Sequence, residues 1–313
     1  MSADNSPKAI VAALAANLGI AVTKLLAWLL TGASSMLAEA IHSIADSGNQ
    51  CLLLVGGRRS KREPTAEHPF GFGRERYIYA FIVSVVLFSV GGLFALYEAY
   101  HKYHDVHAGN PNELLSSSWW WVPLAVLLAA IAMEGYSFHT AITESNKTRG
   151  ELSWGEFIRR AKAPELPVVL LEDSAALIGL VFALLGVGLT LLTDNGYWDA
   201  VGTAAIGLLL VTVAIVLALE TKSLLLGEAA HEENRGLIEA AIRADDQVLD
   251  IVNLRTLHLG PEQILVACKV FVRPTESAQA VADAIDSVEG RIRAAVPEAS
   301  HIYIEPDIAA PSG

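Results

Sequence analysis

Six stretches of this chain are apolar over about the twenty residues that a helix needs to cross a bilayer. They run from Ile10 to Leu30, Ser34 to Leu54, Ile78 to Tyr97, Trp119 to Phe138, Pro167 to Leu192 and Trp198 to Leu219. With 53% hydrophobic residues in 313, the composition is that of an integral membrane protein. The pattern predicts an α-helical membrane domain of six transmembrane helices over residues 1–226. After Gly227 the texture changes to a mixed, acidic one with no stretch long enough to span. Residues 227–313 read helix (Glu232 to Ala244), strand (Val248 to Leu259), strand (Ile264 to Val272), helix (Ser277 to Val296) and strand (His301 to Glu305). That αββαβ order predicts a small ferredoxin-like α+β domain with its helices on one face of a sheet.

Basic residues in the short links set the orientation. Arg58, Arg59, Lys61, Arg62, Arg74 and Arg76 follow the second stretch, and Lys147, Arg149, Arg159, Arg160 and Lys162 follow the fourth. The alternate links hold Lys102 alone. The basic links are therefore expected in the cytoplasm, with both termini, in a multi-pass protein of the inner cell membrane. Trp119, Trp120 and Trp121 fit an aromatic anchor at the outer interface. The segment Met1 to Lys8 leads into an apolar run too long for a signal-peptide core, and it reads as part of a retained first span.

A formal net charge of -12 argues against nucleic acid as a partner. The two cysteines, Cys51 and Cys268, form no metal or disulfide motif. No Walker loop, nucleophile elbow or zinc-protease motif is present, so neither a nucleotide nor enzymatic chemistry is expected.

The chemistry lies inside the apolar stretches. His42 and Asp46 are one helical turn apart, so they share a face and can reach one cation. Glu172 and Asp173 form an acidic pair in the fifth stretch. Ionisable groups are costly in hydrocarbon and need a partner, a wet cavity or an ion. One imidazole and several carboxylates describe a divalent-metal site; the alternative is a set of polar pairs that only hold helices together. Adjacent helical residues diverge by ~100°, so Asp173 is the better ligand and Glu172 the weaker. Asn49, a turn beyond Asp46, is a further weak candidate or an interhelical donor. Lys24 and Glu134 are other polar residues in the spans, the latter a proton-path candidate.

The run Ser35-Met-Leu-Ala-Glu-Ala-Ile-His-Ser-Ile-Ala-Asp46 and the run His68-Pro-Phe-Gly-Phe-Gly-Arg-Glu75 resemble the signatures of the cation diffusion facilitator family. Leu171-Glu-Asp-Ser-Ala-Ala176, with the second run, is closer to that family's zinc transporter nine branch. The resemblance implies a homodimeric secondary carrier in the membrane lipid, one that exports a divalent cation in exchange for protons and is not an enzyme. It also implies two ligands four residues apart on each of two helices: His42 and Asp46, then Asp173 and a partner whose position Val169 fills. The fourth ligand is then Glu172, Asn49 or water. Imidazole favours Zn2+ as cargo, with Fe2+, Co2+, Cd2+ and Mn2+ as alternatives, and no organic cofactor is expected. An imidazole exchanges its proton near neutral pH, which offers a route to antiport. The rival readings are a metal-binding sensor without flux, a passive channel and a scaffold of paired charges.

The same resemblance suggests a hinge pair, Arg74 with Glu228, between spans and tail. It also suggests a regulatory metal site in the tail, for which His301, Glu305 and Asp307 are the candidates. Glu67 and His68 are weak candidates for a loop site, since Phe72 stands where a second histidine is expected.

Overall fold

A computed structural model describes residues 6–31, 34–110, 115, 118–273 and 277–308. The chain divides into two units, Met1–Arg58 with Arg76–Lys222, and Arg59–Glu75 with Ser223–Gly313.

The first unit is helical. Its elements are α1 (Ser6–Thr31), α2 (Ser34–Arg59), α3 (Glu75–His107), α4 (Trp121–Arg149), a short α5 (Trp154–Arg160), α6 (Glu165–Thr193) and α7 (Tyr197–Leu226). The long helices overrun the apolar stretches and carry polar ends. Among the described residues α3, α4, α6 and α7 are by themselves long and apolar enough to cross a membrane. The shorter apolar run in α1 is Asn17–Leu26, and α2 holds Glu39, His42, Asp46, Asn49 and Gln50. Composition therefore identifies four of the six expected spans.

All six long helices contribute to one core, which contains Ile10, Leu53, Val83, Ala141, Val169 and Leu210. A second cluster joins Ile20 of α1, Leu127 and Ala130 of α4, and Leu180 of α6. The opposite faces leave large apolar side chains such as Leu128, Leu185 and Leu208 exposed, the arrangement that a lipid surround favours. Helix approach is closest where side chains are missing. A Cβ on Gly202 would stand 2.9 Å from the Phe182 carbonyl, so α6 and α7 meet backbone to backbone. One on Gly92, inside the π-helical turn Leu87–Leu93 of α3, would stand 2.6 Å from Val211 Cγ2.

Arg76 is not a loop cation as its place among the basic residues suggests. It lies in the first turn of α3, 8% exposed, and forks onto Glu165 at the start of α6. Arg76 Nε donates to Oε1 and Nη2 donates to Oε2, the latter at 2.8 Å. A bidentate pair of this kind ties two helix ends with defined geometry.

The second unit contains α8 (Glu232–Arg243), β1 (Val248–Gly260), β2 (Gln263–Val272), α9 (Ala278–Ala295) and β3 (Ala299–Asp307), the αββαβ order. The sheet order is β1-β2-β3, with β1–β2 antiparallel and β2–β3 parallel. Central β2 alternates between buried and half-buried residues along its length, as a strand with one covered face must. Its inner face packs against Ile238 and Ile242 of α8 and Val288 and Ile292 of α9. Ser277 caps α9 through its hydroxyl, which accepts from Ala280 N at 3.2 Å. The segment Arg59–Glu75 belongs to this unit: Gly73 sits against the β1–β2 hairpin so closely that a Cβ would lie 2.8 Å from the Leu259 carbonyl.

Two expectations follow. Removing one partner of the buried ion pair leaves a bare charge, a loss of about 3–5 kcal/mol. Arg76→Ala should therefore lower the thermal unfolding temperature of the detergent-solubilised protein sharply, and Arg76→Met with Glu165→Leu should recover most of the loss. In the tail, burial pushes the Asp245 carboxyl up, but the Gln247 N–H (3.0 Å) and the Arg291 guanidinium outweigh it and hold the group below 3.8. A depressed carboxylate stabilises the fold above its unfolded pKa and ceases to do so as pH falls through the folded value. Asp245→Asn should thus destabilise the tail at pH 7, with the gap to wild type closing below about pH 4 in a pH-resolved melting series.

Candidate metal centre

Glu172 and Asp173 lie in α6, 4% and 1% exposed. The turn of ~100° between consecutive helical residues sends them to different neighbours. Glu172 faces α2, where Asn49 Nδ2 donates to Oε1 at 2.8 Å and Gln50 Nε2 donates to Oε2 at 2.7 Å. Asp173 faces α4, where Ser137 Oγ donates to Oδ2 at 2.7 Å. An ionised carboxylate only accepts hydrogen bonds, so both amides turn their NH2 groups toward Glu172. Their oxygens, Asn49 Oδ1 and Gln50 Oε1, are buried and have no hydrogen-bond partner among the described residues.

Asp46 is half-buried on α2, three residues before Asn49 and on the same face. Its charge interacts with those of Glu134, Glu172 and Asp173. Glu134 of α4 is 5% exposed. Lys24 of α1 is buried, donates to Ser43 Oγ at 3.0 Å, and its charge interacts with that of Glu134. His42 belongs to α2, one turn before Asp46, but its side chain lies outside the described residues. Val169, one turn before Asp173, is fully buried in the core and offers no donor atom. Among the described residues, no three His, Cys, Asp or Glu side chains come close enough to hold one metal ion. The acids of α2, α4 and α6 therefore share an electrostatic field without closing on a common point.

Gln50 and Ser137 are site residues that the sequence reading missed. Gln50 carried a signal, a second amide next to Asn49 in an apolar run. A lone serine such as Ser137 carries none.

Outside the bundle, Arg74 is half-buried beside the link that follows α7. A Cβ built on Gly227, the residue before Glu228, would stand 3.6 Å from Arg74 Nη2. Glu228 accepts the His258 N–H on its carbonyl at 2.8 Å. In the tail, Glu305 and Asp307 share one cation, with Lys269 Nζ at 3.1 and 3.0 Å. His301 packs edge-on against Phe70, ring centroids 5.3 Å apart, and its Nδ1 lies 2.9 Å from Ser300 Oγ. The His68 ring rests on Phe72 at 4.7 Å.

Long helices that bury acids, followed by an αββαβ domain, define a helical membrane protein with an α+β tail. The cation efflux transmembrane domain model matches residues 10–226, and the cation efflux protein cytoplasmic domain model matches residues 230–308. The chain belongs to the cation efflux family, also called the cation diffusion facilitators. It is 32% identical over 250 residues to the mitochondrial proton-coupled zinc antiporter SLC30A9 of Xenopus laevis, covering 79% of this chain and 43% of that protein. It is 31% identical to the human protein of that name, covering 76% and 41%. With metal tolerance protein C4 of Arabidopsis thaliana it shares 27% identity, covering 82% and 55%. The chain spans less than half the length of these SLC30A9 relatives.

Leaving a buried polar group without its partner costs about 1–3 kcal/mol. Gln50→Leu strips one of the two donors from Glu172, so the unfolding midpoint followed by scanning fluorimetry should fall by the equivalent of that range.

Proposed function

We propose that this chain is a homodimeric membrane carrier that exports a divalent cation, foremost zinc, from the cytoplasm in exchange for protons. The observation that carries the proposal is a cation efflux domain whose interior buries acids from different helices within one electrostatic field. Asp46 on α2 and Asp173 on α6 interact through their charges inside a largely apolar bundle. His42, Asp46 and Asp173 are the proposed ligands. Glu172 is already bridged to α2 by two amides, which favours a supporting role over direct ligation. An imidazole beside carboxylates suits zinc and its transition-metal neighbours better than magnesium or calcium. Metal loading displaces ligand protons, and reloading by protons from the far side resets an empty site. The proton-coupled zinc antiporters among the relatives support this choice of cargo and coupling.

The second unit supports dimerisation through its match to the family's cytoplasmic domain. The excess of Arg and Lys in alternate links supports cytoplasmic termini. Arg74 and Glu228 are proposed as a hinge pair, from the closeness of the guanidinium to Gly227. A regulatory metal at His301, Glu305 and Asp307 would have to displace Lys269 from both acids.

In proteoliposomes, Asp46→Ala should abolish zinc uptake while the purified protein keeps its dimeric elution volume, and collapse of the pH gradient should suppress wild-type flux. Full zinc flux through the variant would remove the site from the account. Saturable zinc binding with no flux in the wild type would leave a sensor, and flux indifferent to the pH gradient a channel.

A further inference from the structure

The link between α4 and α6 concentrates positive charge in an acidic chain. Within residues 147–162, Lys147, Arg149, Arg159, Arg160 and Lys162 stand against two acids, Glu151 and Glu156, while the whole chain carries a net charge of -12. The link is also well ordered. Ser153 and Glu156 form a capping box at the start of α5: Ser153 Oγ accepts from Glu156 N at 3.3 Å, and Glu156 Oε2 accepts from Ser153 N at 3.1 Å. The one acid of α5 is thereby committed to its first turn. Phe157 is buried and clusters with Leu152 and with Leu166, in the first turn of α6. This contact fixes α5 beside the start of a helix long and apolar enough to cross a membrane.

The outer face of α4 marks the same level. Leu128 and Tyr136 are exposed on it, and Thr143 and Lys147, further along that face, are exposed too. The change from apolar to hydrated side chains therefore falls in the last turns of α4. There the Arg149 guanidinium lies over the Trp154 ring, 4.3 Å from its centroid, and the indole is 37% exposed. Arg159 and Arg160 are exposed at the other end of α5. Arg159 Nε donates to the Gly155 carbonyl at 3.2 Å, so the helix itself steadies that guanidinium. Tryptophan at the headgroup level, with arginines close by, is the composition of an interfacial anchor.

We infer that the α4–α6 link is a docking surface for the headgroups of anionic phospholipids, with Arg159 and Arg160 on the phosphate and Trp154 at the headgroup level. Charge complementarity selects this occupant. A leaflet rich in anionic lipid attracts basic residues next to a span, and a guanidinium takes phosphate oxygens in a two-pronged hydrogen bond. A free phosphate has no use for the exposed indole, whereas a lipid meets both the ring and the arginines. Bound lipid holds α5 against the bilayer. Phe157 passes that hold to the start of α6, the helix that carries Glu172 and Asp173.

The test titrates the full-length protein in neutral detergent with phosphatidylglycerol or phosphatidylcholine and counts bound lipid by native mass spectrometry. The wild type is expected to bind phosphatidylglycerol more tightly than phosphatidylcholine. Arg159→Gln with Arg160→Gln should weaken the tightest phosphatidylglycerol by about 25-fold, about fivefold for each arginine, and leave phosphatidylcholine unchanged. Arg160→Gln alone should show the fivefold step, which keeps the test alive if the double variant fails to fold. Arg58→Gln with Lys61→Gln, an equal charge loss in the other basic link, should leave the affinity at its wild-type value. Wild-type affinity in the Arg159 and Arg160 variants overturns the inference, and so does an equal loss in the Arg58 and Lys61 variant, which would assign the effect to net charge. Displacement of the lipid by inorganic phosphate overturns it in favour of a soluble anion. No preference for the anionic lipid in the wild type overturns it in favour of a protein partner, such as this chain's own acidic tail.

Discussion

A carboxylate sealed in an apolar helix bundle must be matched by something, and the first unit is organised by how it matches each one. Glu165 meets a guanidinium in a two-pronged pair. Glu172 meets two neutral amides. Among the described residues, Asp173 meets one hydroxyl. Among the described residues, Glu134 meets the charges of Asp173, Asp46 and Lys24. Satisfaction falls along that series, and structural commitment falls with it. A fully compensated acid holds helices together and has no reason to change state. An under-compensated one keeps an unmet demand for positive charge, which a proton or a metal ion can fill. The bundle thus grades its acids by how fully the surrounding side chains compensate them.

The same constraint explains the character of α2. Among the six long helices it is the one least like a membrane span in composition, because its inner face supplies Ser43, Ser47, Asn49 and Gln50, all buried. Asn49 and Gln50 donate there to a carboxylate of α6, Ser47 donates to the Ser43 carbonyl, and the Ser43 hydroxyl accepts from Lys24. α2 is stable in an apolar setting because α6 is beside it, so the two helices form one functional element although 122 residues separate Gln50 from Glu172. Polar residues of this kind tie helix association to the correct partner, since any other pairing leaves amides and acid unmet.

Much of this was legible in the sequence. Long apolar runs gave the membrane unit, and the switch to mixed texture after Gly227 gave the tail with its αββαβ order. The strands were read short: β3 runs Ala299–Asp307, because edge residues that pair through the backbone need not alternate in polarity. Arg76 was misread, since a run of basic residues looks like a solvated loop until Glu165 is seen opposite, and no local pattern reveals a partner 89 residues away. The pair Glu172-Asp173 was correctly treated as divergent, but helical periodicity cannot tell which helix each one faces. That knowledge came from Asn49, Gln50 and Ser137, whose roles depend on packing and not on spacing.

In the tail, Lys269 stands on β2 opposite Glu305 of β3 and pairs with it and with Asp307. The hydrogen bonds that the ammonium donates to Asp307 and Glu305 hold its pKa above 10.5, so the cation persists through the physiological range. A dication arriving there would have to displace a charge that the chain carries covalently, and it would gain only two exposed carboxylates and His301, whose ring lies against Phe70. Exposed pairs are weak individually, yet a built-in cation is always present while a free metal ion is not. One of the two negative charges at this sheet edge is therefore offset at every metal concentration.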